Sequence, residues 1–151
     1  MQYRRAANKP FIPYEDAVRE ALCYGWIDAQ TKPMDDERAA LLFTPRRPGS
    51  GWAASNKLRV RALVAEGRMR PAGLAKIAAA KKDGSWTLLD GVEALRVPPD
   101  LAKALAAARV TKAFGALSNT AKRAHLYALV TAKRPDTRTK RLAGIVRSLR
   151  S

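Results

Sequence analysis

Arg46 and Arg47 leave a short apolar run and are followed by Pro48, Gly49, Ser50, Gly51 and Trp52, after which a helix can begin. Two guanidiniums, a flexible turn and the free backbone N–H groups of a helix start are the ingredients of a phosphate or carboxylate site. Asp35, Asp36 and Glu37 offer a competing use for the same cations, an ion pair across a hairpin with Trp52 plugging the core. Cross-strand and surface pairs are common, so that use is favoured. Gly49, Gly51 and Ala54 also satisfy G-x-G-x-x-A. A dinucleotide site needs that pattern inside a βαβ unit, with an acidic residue about 20 positions on. Residues 67–80 hold no Asp or Glu, the segments that follow read as helices, and Trp52 crowds the backbone a pyrophosphate would approach. The nucleotide reading is rejected.

Trp26 and Asp28, two apart on an extended run, point to one face of a strand. Asp28 becomes a candidate acid or base if that face lines a pocket, but an aspartate there more often caps a turn or pairs with an arginine. Together with Arg46 as an anchor it would make an enzyme on a small anionic substrate. Asp35, Asp36 and Glu37 read as a solvated connection rather than a divalent-metal site. Cys23 and His125 are the single cysteine and histidine, so an internal disulfide is impossible and a Cys/His zinc site lacks ligands. A His-based catalytic triad would have to recruit His125 from the far end of the chain, and no serine or cysteine sits on a nucleophile elbow. A buried, inert Cys23 and a surface or partly packed His125 are expected. No catalytic residue set, metal or cofactor is assigned.

The 151 residues carry a net charge of +16, distributed as +1 over residues 1–50, +4 over 51–100 and +11 over 101–151. The last third, with 12 Lys/Arg against one acid, would attract polyanions such as nucleic acid, anionic lipid or acidic proteins. Lys133, Arg134, Arg138, Lys140, Arg141 and Arg147 are the candidate phosphate contacts, with a solvated basic surface as the bland alternative. Base-stacking aromatics there are limited to Phe114 and Tyr127, so such binding would run through phosphates and weaken steeply with salt. No apolar run approaches the roughly 20 residues of a membrane span, and the basic start lacks the apolar core of a secretory signal, so a cytoplasmic location is expected.

The elements that would position these residues read as α+β: a small antiparallel hairpin with one helix, then helices to the end. A helix is expected over Tyr14–Cys23, with Glu15 and Asp16 in its first turn, a stripe of Ala17, Val18, Ala21 and Leu22, and Gly25 after it. Trp26–Thr31 alternates, with Trp26, Asp28 and Gln30 on one face, and pairs with Arg38–Thr44 across a connection at 32–37. A lone hairpin is marginal, so it should pack on the first helix or pair with residues 2–5. Asn56–Glu66 should be a helix burying Val60, Leu63 and Val64 and stopped by Gly67. Pro71–Lys82 should bury Leu74, Ile77 and Ala78. A looser stretch around Trp86 leads to a short helix after Pro98 and Pro99. Ser118 caps a helix over Asn119–Lys133. Pro135 opens the last one, with a stripe of Leu142, Ile145, Val146 and Leu149. The domain boundary is expected after Gly67: an α+β part over 1–67 and a basic helical part over 68–151, packed as one domain.

The stretches YEDAVREALCYGWID, KPMDDERAALLFTPRRPGSGW, NKLRVRALVAEGRMRPAG and LSNTAKRAHLYALVTAKRPDTRTKRLAGIVRSL, in that order, resemble the YdeI/OmpD-associated, bacteriocin-protection family of bacterial proteins over nearly the whole chain. The resemblance implies a role in tolerance of cationic antimicrobial peptides, association with an outer-membrane porin, and no catalytic residues to carry over. It places Gly25, Trp26, Asp28, Pro45, Arg46, Arg47, Ser50, Trp52 and Asn56 in a shared pocket or corner. It also implies a further apolar strand before the first helix, and a capping Ser or Thr where this chain has Arg70. The expectation is a non-enzymatic stress-tolerance or interaction protein with a protein partner, envelope-associated or otherwise. Its partner surface would be the last helix or a pocket of Trp26, Arg46, Arg47 and Trp52. Direct capture of cationic peptides is disfavoured by the net charge.

Overall fold

A computed structural model describes residues 2–3 and 10–150. The chain forms two compact units, residues 1–87 and 88–151. The division falls beyond Gly67 because the helix over Pro71–Lys82 packs on the first helix.

In the first unit, β1 (Gln2–Tyr3) precedes α1 (Tyr14–Cys23), β2 (Trp26–Pro33), β3 (Arg38–Pro45), α2 (Ala54–Ala65) and α3 (Pro71–Lys82). The sheet is antiparallel in the order β1-β3-β2, with Gln2 opposite Ala39 and Trp26 opposite Pro45. The hairpin is thus supported in both expected ways, by α1 and by residues 2–3. Residues 4 and 5 lie outside the described residues. The alternation expected along β2 fails at Ala29: Asp28 pairs with Phe43 and Gln30 with Leu42, so an irregularity resets the phase after Asp28. Asp35 builds the turn. Its Oδ1 accepts from the backbone N–H of Glu37 (3.0 Å) and Arg38 (2.7 Å), and its Oδ2 accepts from Arg38 Nε at 2.6 Å.

The core of this unit joins Val18, Leu22 and Cys23 of α1 to Trp52, to Val60 and Leu63 of α2, and to Ile77 and Ala80 of α3. Three expected inward residues face out instead, Val64 at 52% exposure, Leu74 at 46%, and Ala78. On α3 the buried stripe is Gly73, Ile77 and Ala80, because α3 meets the end of α1 at contact distance. A Cβ on Gly73 would lie 2.3 Å from the carbonyl oxygen of Cys23. That same carbonyl accepts the backbone N–H of Arg70 at 3.0 Å, so the entry to α3 is held by α1 rather than by a capping side chain.

The second unit is all helical: α4 (Asp90–Glu93), α5 (Pro99–Ala107), α6 (Thr111–Ala116), α7 (Asn119–Val130) and α8 (Pro135–Ser148). The Ser118 hydroxyl accepts from Ala121 N–H and caps α7 as expected. Val92, Leu101, Leu105, Val110, Phe114, Leu126, Leu129 and Ile145 form its core, with Leu142 and Leu149 packed against it. No helix is long and apolar enough to cross a membrane among the described residues.

Candidate functional site

Gly25 ends α1 at φ +77°, a conformation natural to glycine, and its carbonyl accepts the backbone N–H of Arg46 at 2.9 Å. That bond ties the end of β3 to the end of α1 and turns the Arg46 side chain into the protein. Arg46 is 4% exposed and Trp52 is 2% exposed. The guanidinium carbon sits 3.8 Å from the Trp52 ring centroid, and Nη2 donates to the carbonyl of Gly51. Nε and Nη1 are buried and have no hydrogen-bond partner. Burial holds the Arg46 pKa down at about 10.

The cross-hairpin ion pair favoured from sequence is therefore not formed by Arg46. Asp35 is taken by Arg38, whose guanidinium also pairs with it at 2.5 Å, while Trp52 does plug the core. Arg47 is exposed, and its carbonyl accepts the Ser50 hydroxyl at 2.7 Å. Beside Arg46 lies a cavity of about 70 Å³, whose walls come from Arg46, Arg47, Pro48, Gly49, Ser50 and Trp52 on one side and from Lys76, Ala79, Ala80, Asp83 and Ser85 on the other. Asp83 fastens this corner: its carboxylate accepts from the backbone N–H of Gly49 (3.1 Å) and Ser85 (2.8 Å). Hydrogen bonding from Ser85, side chain and backbone, holds that carboxyl below its usual range.

The remaining candidates lie elsewhere. Asp28 is not among the residues lining the Arg46 cavity; its Oδ2 accepts the Tyr14 hydroxyl at 2.7 Å, which pushes the Tyr14 pKa up and ties β2 to the start of α1. Asn56 is buried at the start of α2, where its Oδ1 accepts from Arg59. Arg59 in turn holds Glu15 through two bonds of 2.7 and 2.8 Å. Trp26 is 42% exposed and lines a second, larger space of about 690 Å³. Its other walls are Ile12, Ala17, Ala21, Tyr24 and Phe43, with Asp16, Glu20 and Arg68 as the charged residues. The two spaces share no lining residue.

Sequence reasoning named Trp26 but not the rest of this groove. Tyr24 and Ile12 fall just outside the helix whose periodicity was readable, and only the hairpin pairing brings Phe43 near them. Cys23 is buried as expected, its thiol pKa raised by that burial. Among the described residues no group of three or more His, Cys, Asp or Glu is placed to hold a metal ion.

In the second unit the six basic candidates divide. Arg138 is used structurally, with Nε and Nη2 on the Asp100 carboxylate at 2.6 and 2.9 Å and Nη1 on the Leu129 carbonyl at 2.9 Å. Arg141 donates to the Ala128 carbonyl and to the Thr131 hydroxyl, and so ties α8 to α7. Lys133, Arg134, Lys140 and Arg147 are exposed.

No curated protein and no solved structure matches the chain. Residues 94–151 match the model of the family described as bacteriocin-protection, YdeI or OmpD-associated. The EALCYGWID and FTPRRPGS stretches lie outside that segment and inside a second match over residues 1–76. That second match spans half of the chain, so the protein belongs to the family described as a domain of unknown function, DUF8412, while its residues 94–151 are similar to the YdeI/OmpD-associated family.

Proposed function

We propose that this is a non-enzymatic interaction protein with a bacteriocin-protection-related role, and that the groove of its first unit receives an apolar segment of a protein partner. One observation carries the reading. Ile12, Tyr24 and Trp26, exposed by 58%, 45% and 42%, converge on one groove with the small side chains of Ala17 and Ala21 between them. Aromatic and aliphatic side chains gathered around a concave apolar surface are the usual anchors of a protein–protein contact. Glu20 is paired with Arg68 at 3.0 Å, whereas Asp16 has no ion-pair partner among the described residues. A partner segment with a basic residue beside its apolar side chains is complementary to that arrangement. The name of the matched C-terminal family supports an envelope-associated partner of the OmpD kind. Cytoplasmic residence belongs to the same proposal.

A strain lacking the gene, complemented with wild type, Trp26→Ser or Ile12→Ser and challenged with bacteriocin, tests this. Wild type should restore survival and the groove variants should not, while their circular dichroism stays that of wild type. Equal survival with all three would remove the groove from the function.

Four exposed cations of the second unit, Lys133, Arg134, Lys140 and Arg147, carry a second reading, polyanion binding through phosphates.

A further inference from the structure

Arg46 carries a charge into the core of the first unit and, among the described residues, no carboxylate pairs with it. Asp83 lines the same cavity but already accepts from Gly49 N–H, Ser85 N–H and the Ser85 side chain. Burial lowers the Arg46 pKa to about 10, and Arg46 makes no ion pair among the described residues. Lys76, half-buried on α3, also lines the cavity and makes no ion pair among the described residues. Lys57 and Lys81 stand 5.4 and 5.6 Å from the ring of Trp86, whose centroid is 4.9 Å from that of Trp52. An uncompensated buried guanidinium is costly, and burying one without its counter-charge is rare in native proteins. A buried polar group left unsatisfied calls for a specific explanation, such as an ion that belongs beside it.

We infer that the cavity between Arg46 and Lys76 is a binding site for a small oxyanion, a phosphate or carboxylate group, which supplies the missing negative charge. A space of about 70 Å³ is several times the roughly 10–15 Å³ that one water requires. It admits a group of a few heavy atoms and excludes a nucleotide, in agreement with the rejected dinucleotide pattern. Recognition is by charge: Arg46 from below the Trp52 ring, Lys76 from α3 and the exposed Arg47 from the turn outweigh the single carboxylate of Asp83. This site is separate from the apolar groove and does not depend on it.

Trp52 and the Trp86 tilted against it report on the site. In a Trp26→Phe background Trp52 and Trp86 are the remaining tryptophans, excited selectively over tyrosine, and inorganic phosphate and acetate are titrated separately at constant ionic strength against chloride. The expected result is a saturable change with phosphate, acetate or both. Lys76→Met should weaken it about tenfold, and Arg46→Met should abolish it. Because a protein of net charge +16 collects phosphate over its surface, melting is followed in parallel. Ligand should raise the Tm of the parent and leave that of Arg46→Met unmoved. Should Arg46→Met fail to fold, the Lys76→Met comparison carries the test alone. A linear, unsaturable response to both anions, or equal affinity in the parent and Lys76→Met, would overturn the assignment.

Discussion

The guanidinium of Arg46 lies over the ring of Trp52, 3.8 Å from its centroid, and Trp86 is tilted against the same Trp52 with ring centroids 4.9 Å apart. Trp52 is therefore both the plug of the first core and the cover of the buried Arg46. Trp52→Ala should lower stability by about 3–5 kcal/mol, read as a lower urea midpoint, and should expose Arg46 to solvent. An unchanged midpoint would mean that this corner is not packed as described.

Gly73 and Cys23 define the crossing of α3 over α1. A methyl at Gly73 would meet the Cys23 carbonyl oxygen at 2.3 Å and its carbon at 2.9 Å, both backbone atoms that have no rotamer to escape into. Gly73→Ala should therefore cost about 1–3 kcal/mol, although alanine is the better helix former. A gain in Tm for this variant would place the helices further apart.

Two helix ends show what the sequence made legible and what it hid. After α2, Gly67 at φ +66° donates to Val64 and Arg68 donates to Leu63, a Schellman ending readable from the glycine alone. After α5 the same pair of bonds forms, Arg109 to Ala106 and Val110 to Leu105, but an arginine occupies the left-handed position at φ +59°. No residue type announced that stop. Buried Leu105 and Val110 impose it through packing, and α6 beyond it was likewise missed. The helices with clear punctuation were readable, α1 and α3 at both ends and α8 at its start, yet the inward face of α3 was not. Gly73 and Ala80 are small where Leu74 is large, and only the close approach of α1 makes the small residues the buried ones. The Arg46 corner was legible as a cluster of charges and a turn. That its charge would be buried unpaired was not, because the bond from Arg46 N–H to the Gly25 carbonyl is a long-range contact without a sequence signature.

Arg109→Gly follows from that comparison. It removes the clash of a side chain in the left-handed region and should raise stability by about 0.5–1 kcal/mol, measured as a higher Tm. A fall in Tm would show that the Arg109 side chain contributes more than its backbone strain costs.

Asp100, in the first turn of α5, accepts two bonds from Arg138 and its pKa is lowered chiefly by them. A depressed carboxylate stabilises the fold above its unfolded value of about 3.9 and loses that contribution as pH falls below it. The Asp100 side chain is 40% exposed, so solvent screening limits Asp100→Asn to a loss of about 1 kcal/mol at pH 7. The gap between variant and wild type should narrow progressively in melts taken at pH values falling below about 3.9. A gap that persisted there would deny the ion pair its role.

The division of the basic residues gives the polyanion reading a number. With Lys133, Arg134, Lys140 and Arg147 as the contacts, log K against log salt should have a slope of about −3.6 on duplex DNA. Lys140→Ala should flatten it by about one contact. A slope unaffected by any of the four would leave them as solvated surface.

The most direct test of the groove is a photoreactive amino acid placed at Tyr24 in living cells, with a control at Leu58, which is 62% exposed on α2 and does not line the groove. A single discrete adduct from position 24, absent from position 58 and lost when Trp26→Ser is added, is the expected result. No adduct at position 24, or the same adducts from both positions, would contradict a partner-binding groove.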